Sequence, residues 1–179
     1  MIRSRIQLSI STLVVIFIST ALLIPGKSFS AEPETRHLFT IQRSKNANVV
    51  QYDVQLTPEG KLNRKEPIIA YWIMLAEDGR EQKLLWVEKK MAYGFEAKFE
   101  AGGKFAIMDM VAPIGRKVKV YEKDGMYRAE TRIDGGTAFV EKIYIKSIED
   151  GILPRVEYVE LCGKDIETGD NRYEKLIPK

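Results

Sequence analysis

The chain reads as a mainly β protein: an antiparallel meander of about ten strands forming a barrel-like sandwich, with one short helix at about residues 80–93. Three observations carry this reading. Runs of strand length alternate apolar and polar residues, four Asp-Gly pairs separate them, and only one segment has helical spacing. A sheet with that many strands must hide its edges, and closure or two-layer packing achieves this.

The elements follow in order. The first strands are expected at 38–42 and 49–56, where Val50, Tyr52, Val54 and Leu56 form one apolar face against Gln51, Asp53 and Gln55. The run from Pro67 to Leu75 is almost continuously apolar, as in a strand covered on both faces. Strands at 96–99 and 104–111 come next, the latter placing Asp109 on the face of Phe105, Ile107 and Val111. Five more, at 118–120, 127–133, 139–148, 156–161 and 172–177, are separated by short loops, the signature of a meander. Asp78-Gly79, Asp124-Gly125, Asp134-Gly135 and Asp150-Gly151 supply residues that accept the positive φ of tight hairpin turns. Between Arg80 and Tyr93 strong helix formers dominate, Leu84, Val87 and Met91 share one helical face, and Gly94 follows where a left-handed cap is expected.

The N-terminus carries a targeting signal. Arg3 and Arg5 precede an uncharged run from Ile6 to Ile24, Pro25 and Gly26 break it, and Ser28 and Ser30 stand three and one positions before Ala31. This is the pattern of a cleaved secretory leader at 1–30, followed by a short linker at 31–36 and a single β-rich domain at 37–179. The expected location is the periplasm or the exterior after cleavage near Ser30–Ala31. Membrane contact is expected only through residues 6–24, if the leader is retained.

Composition narrows the chemistry. Removing Arg3, Arg5 and Lys27 leaves 28 − 3 = 25 basic against 25 acidic residues, so the mature chain lacks the basic excess that nucleic-acid binding requires. One cysteine and one histidine exclude an intramolecular disulfide and any cysteine-rich zinc site. His37 and Cys162 are the sole possible partners for a Cys–His nucleophilic pair, but Cys162 ends an apolar run typical of a buried, inert thiol. No phosphate loop, dinucleotide motif or Gly-x-Ser-x-Gly elbow occurs, and no cofactor is implied.

Three groups of candidates remain. Asp109, on an apolar strand, and Glu88, in the helical segment, are the weak catalytic candidates, since acid–base hydrolysis needs two carboxyls across a cleft. Asp165, Glu167 and Asp170 place oxygens at roughly alternate positions, a weak calcium candidate competing with a plain hairpin turn. Tyr71, Trp72, Trp86 and Tyr93 cluster around the central strand and the helix and are the expected ligand-binding aromatics. Trp86 lies off the Leu84–Val87–Met91 stripe and is the one expected at the surface. The expected function is non-catalytic binding of a small molecule or an envelope protein; the alternative is a carboxylate-dependent hydrolase acting on an envelope polymer.

Several segments carry a family resemblance. His37 to Ser44, Asn46 to Val50, Pro67 to Ile73, Lys90 to Gly94 and Val156 to Leu161 resemble the bacterial family catalogued as domain of unknown function 4833. The resemblance covers about residues 36–178. It implies an exported protein of similar length with no assigned activity, and it supplies no catalytic residues.

Overall fold

The structure is a computed structural model that describes residues 33–44, 46–100, 102–111, 116–150 and 153–178. The leader at 1–30, its cleavage point at Ser30–Ala31 and the Gly151 turn position lie outside these residues.

Among the described residues, eleven strands form one curled, mixed sheet, a half-barrel with a single short helix. In chain order they are β1 (Thr35–Arg43), β2 (Val49–Gln55), β3 (Ile68–Ile73), β4 (Glu81–Lys83), β5 (Phe95–Phe99), β6 (Ala106–Met110), β7 (Lys117–Lys123), β8 (Met126–Ile133), β9 (Gly136–Asp150), β10 (Leu153–Asp165) and β11 (Asn171–Leu176). β1 begins at Thr35, within the stretch 31–36 expected as a linker.

From β5 to β11 each strand pairs antiparallel with the next, so the meander extends further toward the N-terminus than Lys117. Its tight turns are those the Asp-Gly pairs predict. Asp124-Gly125 joins Lys123 to Met126 and Asp134-Gly135 joins Ile133 to Gly136, with φ positive at all four central residues.

The sheet departs from a purely antiparallel order at β9. Gly136–Phe139 pair with β8, and farther along Lys142–Ile145 pair with β1 in parallel register. The opposite edge of β9 is filled by β10 along its length. One strand edge therefore serves two arms, β1-β2-β3-β4 and β8-β7-β6-β5. A parallel neighbour cannot be read from turn signals, because β1 and β9 are distant in sequence and no short loop joins them.

The two arms enclose one core. Phe39 and Tyr52 are stacked with ring centroids 4.7 Å apart, and Phe95 reaches within 5.9 Å of the Tyr52 ring from the other arm. The Tyr52 hydroxyl is buried and donates 2.7 Å to the Tyr93 carbonyl, so its polar end is satisfied inside the core. Met108, Val118, Val120, Ala129 and Ile133 complete the inner surface of the second arm.

The segment at 80–93 differs most from expectation. Glu81–Lys83 pair with Tyr71–Ile73 as β4, and the helix starts only at α1 (Trp86–Glu88), continuing as a π-helical turn at Lys89–Tyr93. Leu84 is buried before the helix begins, and Val87 is 38% exposed, so no helical stripe joins them; the Met91 side chain lies outside the described residues. Gly94 does not take a left-handed cap: its φ is −74°. Glycine is required there for space, because a Cβ would collide with the Lys89 carbonyl that the widened turn brings against it.

At the far end of the meander, two ion pairs tie β11 to Arg116 before β7 and to Asp165 of β10, and both β11 residues also bond the Asp134 backbone in the β8–β9 turn. Arg116 holds Glu174 by two bonds of 2.6 and 2.5 Å, and Glu174 also accepts the Asp134 backbone N–H at 2.7 Å. Arg172 bonds Asp165 at 2.6 Å and leaves no room for a side chain at Gly136. The Arg116 bonds hold the Glu174 carboxyl down at about 2, against an ordinary value of 4.5. Backbone N–H groups of Thr168 and Glu167, with Arg172, hold Asp165 at about 2, against 3.8. Both groups have depressed folded-state pKa values, so their stabilisation is complete above the unfolded values and is lost as pH falls through about 2. Urea melts between pH 5 and 2 should show this acid loss, and Glu174→Gln should flatten part of it.

Candidate functional site

A groove of about 1120 Å³ opens between the end of the first arm, at β3 and β4, and β5 of the second. Ile68, Ile69, Ala70 and Tyr71 of β3 line one wall, and Phe95 and Ala97 of β5 line the other. Leu84, Trp86, Lys89, Lys90, Tyr93 and Gly94 close it from the helical segment. The lining mixes apolar side chains with Lys65, Lys83, Lys89 and Lys90, against which stand Glu66 and Glu81.

The aromatic candidates divide among three environments. Trp86 is 75% exposed at the rim, flanked by exposed Leu85, which makes an uncovered apolar patch beside the groove. Tyr93 is buried in the groove wall, and Trp72 packs edge-on behind it with ring centroids 5.1 Å apart. Trp72 is a core residue and does not line the groove. Adjacent strand residues face opposite ways, so Tyr71 turns to the outer face of the sheet.

That outer face holds a polar cluster the sequence did not reveal. Asp53 is 3% exposed, and its carboxylate accepts the Tyr71 hydroxyl at 2.5 Å and the Gln51 amide at 3.1 Å. Its other oxygen lies 3.1 Å from His37 Nδ1. A β-bulge makes the last contact possible. His37 pairs with Asp53 and Phe39 with Tyr52, so Leu38 is the extra residue and the facing of β1 switches there. Phe39 and Ile41 enter the core while His37 covers Asp53. Burial alone would raise the Asp53 carboxyl, but the bonds from His37, Tyr71 and Gln51 outweigh it and hold it below its ordinary value. Burial and then the Asp53 carboxylate push the Tyr71 phenol well above its ordinary range. In the strand pattern, Asp53 alternated with Val50, Tyr52 and Val54 and so read as solvent-facing. No pattern within one strand shows that neighbouring side chains roof that face.

The two catalytic candidates are not brought together. Glu88 accepts the Leu85 backbone N–H at 2.7 Å and the Trp72 indole N–H at 3.2 Å, so it fixes the start of α1 and satisfies a buried ring. Asp109 is exposed, cross-strand from Glu96 and Lys117. The expected burial of its face is reversed: Ala106, Met108 and Met110 enter the core, while Phe105, Ile107, Asp109 and Val111 face outward. Thioether and methyl side chains fill this wall in place of the larger aromatic and branched ones, which the sequence pattern favoured for the interior. Neither Glu88 nor Asp109 lines the groove.

The remaining candidates are similarly committed. In the β10–β11 turn, Asp165 accepts the Glu167 and Thr168 N–H groups at 2.9 and 3.0 Å and pairs with Arg172 through its second oxygen. Among the described residues no three His, Cys, Asp or Glu side chains cluster for a metal ion. Lys142 stands between Thr40 and Cys162 in register, so Cys162 is two strand spacings, ~10 Å, from β1. Burial pushes the Cys162 thiol up, which disfavours the nucleophilic thiolate.

Replacing the carboxylate with an amide should expose the role of the outer cluster. Asp53→Asn is expected to cost about 1–3 kcal/mol in denaturant unfolding, because Gln51 loses its charged partner in a covered site. In the same variant the Tyr71 phenol should titrate at lower pH, as read by ¹³C-tyrosine NMR.

Comparison with known proteins places the chain. No curated protein and no solved structure matches it. The family described as Domain of unknown function (DUF4833) matches residues 39–175, which is more than half of the chain. The match runs from the core residue Phe39 through the clamped strand β11, so it takes in both arms and the groove between them; the chain belongs to the DUF4833 family.

Proposed function

We propose that the chain is an exported, non-catalytic binding domain that holds a small molecule or an envelope protein in the groove beside Trp86. The observation that carries this reading is the groove itself. It is large, sets the apolar side chains of Ile68, Ile69, Phe95 and Ala97 among charged ones, and has an exposed indole at its rim. Pockets with apolar walls and few convergent polar groups are where proteins take ligands. Export rests on the sequence before Ala31, with its basic start and uncharged run.

The groove favours binding over hydrolysis. Its carboxylates, Glu66 and Glu81, stand among four lysines, Lys65, Lys83, Lys89 and Lys90. Glu88 and Asp109 serve a helix start and an exposed strand face, which removes the support for a carboxylate-dependent hydrolase built on them.

Native mass spectrometry on the mature chain, extracted gently from its own envelope, tests the proposal. The expected result is a discrete extra mass or a complex with one partner, lost in Trp86→Ala. The side chain is so exposed that this variant should melt within ~0.5 kcal/mol of the parent. A bound mass that persists unchanged in Trp86→Ala and in a Lys83→Glu, Lys90→Glu double variant would place the ligand elsewhere and overturn the reading.

A further inference from the structure

Beside the groove the chain exposes a run of apolar side chains. Leu84 is buried, and the next three residues, Leu85, Trp86 and Val87, all stand in solvent where β4 gives way to α1. Val111 adds a fourth: it is exposed, lines the groove together with Trp86, and its N–H bonds the Gly94 carbonyl at 2.9 Å. Single exposed apolar residues are ordinary, but a contiguous group marks a surface that meets another apolar phase. Leu85 and Val87 do not line the groove, so a ligand held there would leave them bare.

Cations frame this group. Lys83 precedes it, Lys89 and Lys90 follow it, and all three are exposed. The ion pairs among the described residues involve none of them. Glu88, the acid between them, is turned inward onto the Leu85 N–H and the Trp72 indole. Glu81, at the start of β4, offsets only part of the positive charge. Leu75 and Met126 are also exposed, but each stands close in sequence to acids, Glu77 and Asp78 for the first and Asp124 for the second.

We infer that this patch docks the chain on an anionic lipid bilayer. Leu85, Trp86 and Val87 enter the boundary between headgroups and acyl chains, and Lys83, Lys89 and Lys90 meet the lipid phosphates. An indole, with apolar faces and one polar N–H, favours that boundary, and lysine stems are apolar up to their charged tips. Apolar insertion and attraction to anionic lipid act together in interfacial segments of this kind. A folded protein partner would need a complementary surface of ~800 Å² and its own negative charge opposite the lysines. A bilayer supplies the apolar phase and the negative charge with no demand on shape. The inference goes beyond the groove reading, because docking through Leu85 and Val87 holds whether the groove is filled or empty.

The test uses the mature chain, without the leader that could itself enter lipid. Vesicles of phosphatidylcholine alone are compared with vesicles of equal parts phosphatidylcholine and phosphatidylglycerol, by co-sedimentation and by tryptophan emission. Trp72 is buried and Trp86 is in solvent, so a blue shift on binding reports Trp86. The expected result is binding to the anionic vesicles with a blue shift, weakened by added salt, and little binding to phosphatidylcholine alone. A Lys83→Gln, Lys89→Gln, Lys90→Gln triple variant should bind about a hundredfold more weakly. Leu85→Ser should bind about tenfold more weakly. Serine suits that helix start, so the fold is kept. Failure to sediment with the anionic vesicles overturns the inference, as does equal binding of the lysine variant or of Leu85→Ser. A Trp86-dependent protein complex without vesicle binding makes the patch a protein interface and overturns it as well. The groove reading is separable: a ligand mass that survives in Leu85→Ser while vesicle binding falls supports docking by this patch. A ligand mass with no vesicle binding in the parent chain leaves the groove reading standing and removes docking.

Discussion

The structure depends on the divided edge of β9. A single strand of fifteen residues gives its first part to β8 and its middle to β1, and β10 closes its other edge. Once β9 is shared, the arms must diverge from it, and the natural twist of each brings their apolar faces around one core. Phe39, Tyr52 and Phe95 are the meeting point, two from the first arm and one from the second. The groove is the geometric remainder. The arms diverge from a common strand and end in β4 and β5, which do not pair with each other.

The helical segment fits between those ends because it is short. A regular helix from Arg80 would have used the residues that form β4. Instead Glu81–Lys83 join the sheet, Glu88 anchors α1 on the Trp72 indole, and the π-helical turn widens to deliver Tyr93 over Tyr52 and Trp72. Gly94 allows the chain to leave that wide turn directly into β5. The same arrangement leaves Trp86 in solvent, so the rim of the groove follows from how this segment stops being a helix.

Strand positions were legible in the sequence wherever a local rule governs them. Asp124-Gly125 and Asp134-Gly135 set hairpins by conformational preference, and Val50-Tyr52-Val54 set a buried face by alternation. What escaped was non-local. The β1–β9 pairing joins residues about a hundred positions apart, and the Leu38 bulge in the β1–β2 pairing follows no residue signal. Asp109 and Asp53 exchanged expectations for one reason. Each sits on an alternating strand, and which face is covered depends on what the rest of the chain lays against it. Trp86 was legible as a surface aromatic because it fell off the apolar stripe; the lysines that share its groove come from three separate segments, at Lys65, Lys83 and Lys89-Lys90, which no local pattern joins.

The parallel contact between β1 and β9 is the claim on which the rest hangs, and nuclear Overhauser spectroscopy tests it directly. The account predicts interstrand Hα-to-amide contacts in parallel register between Thr40–Arg43 and Lys142–Ile145, together with slow amide exchange along both segments. Rapid exchange in Thr40–Arg43, or contacts in antiparallel order, would contradict it, and with it the divided edge, the two arms and the groove between them.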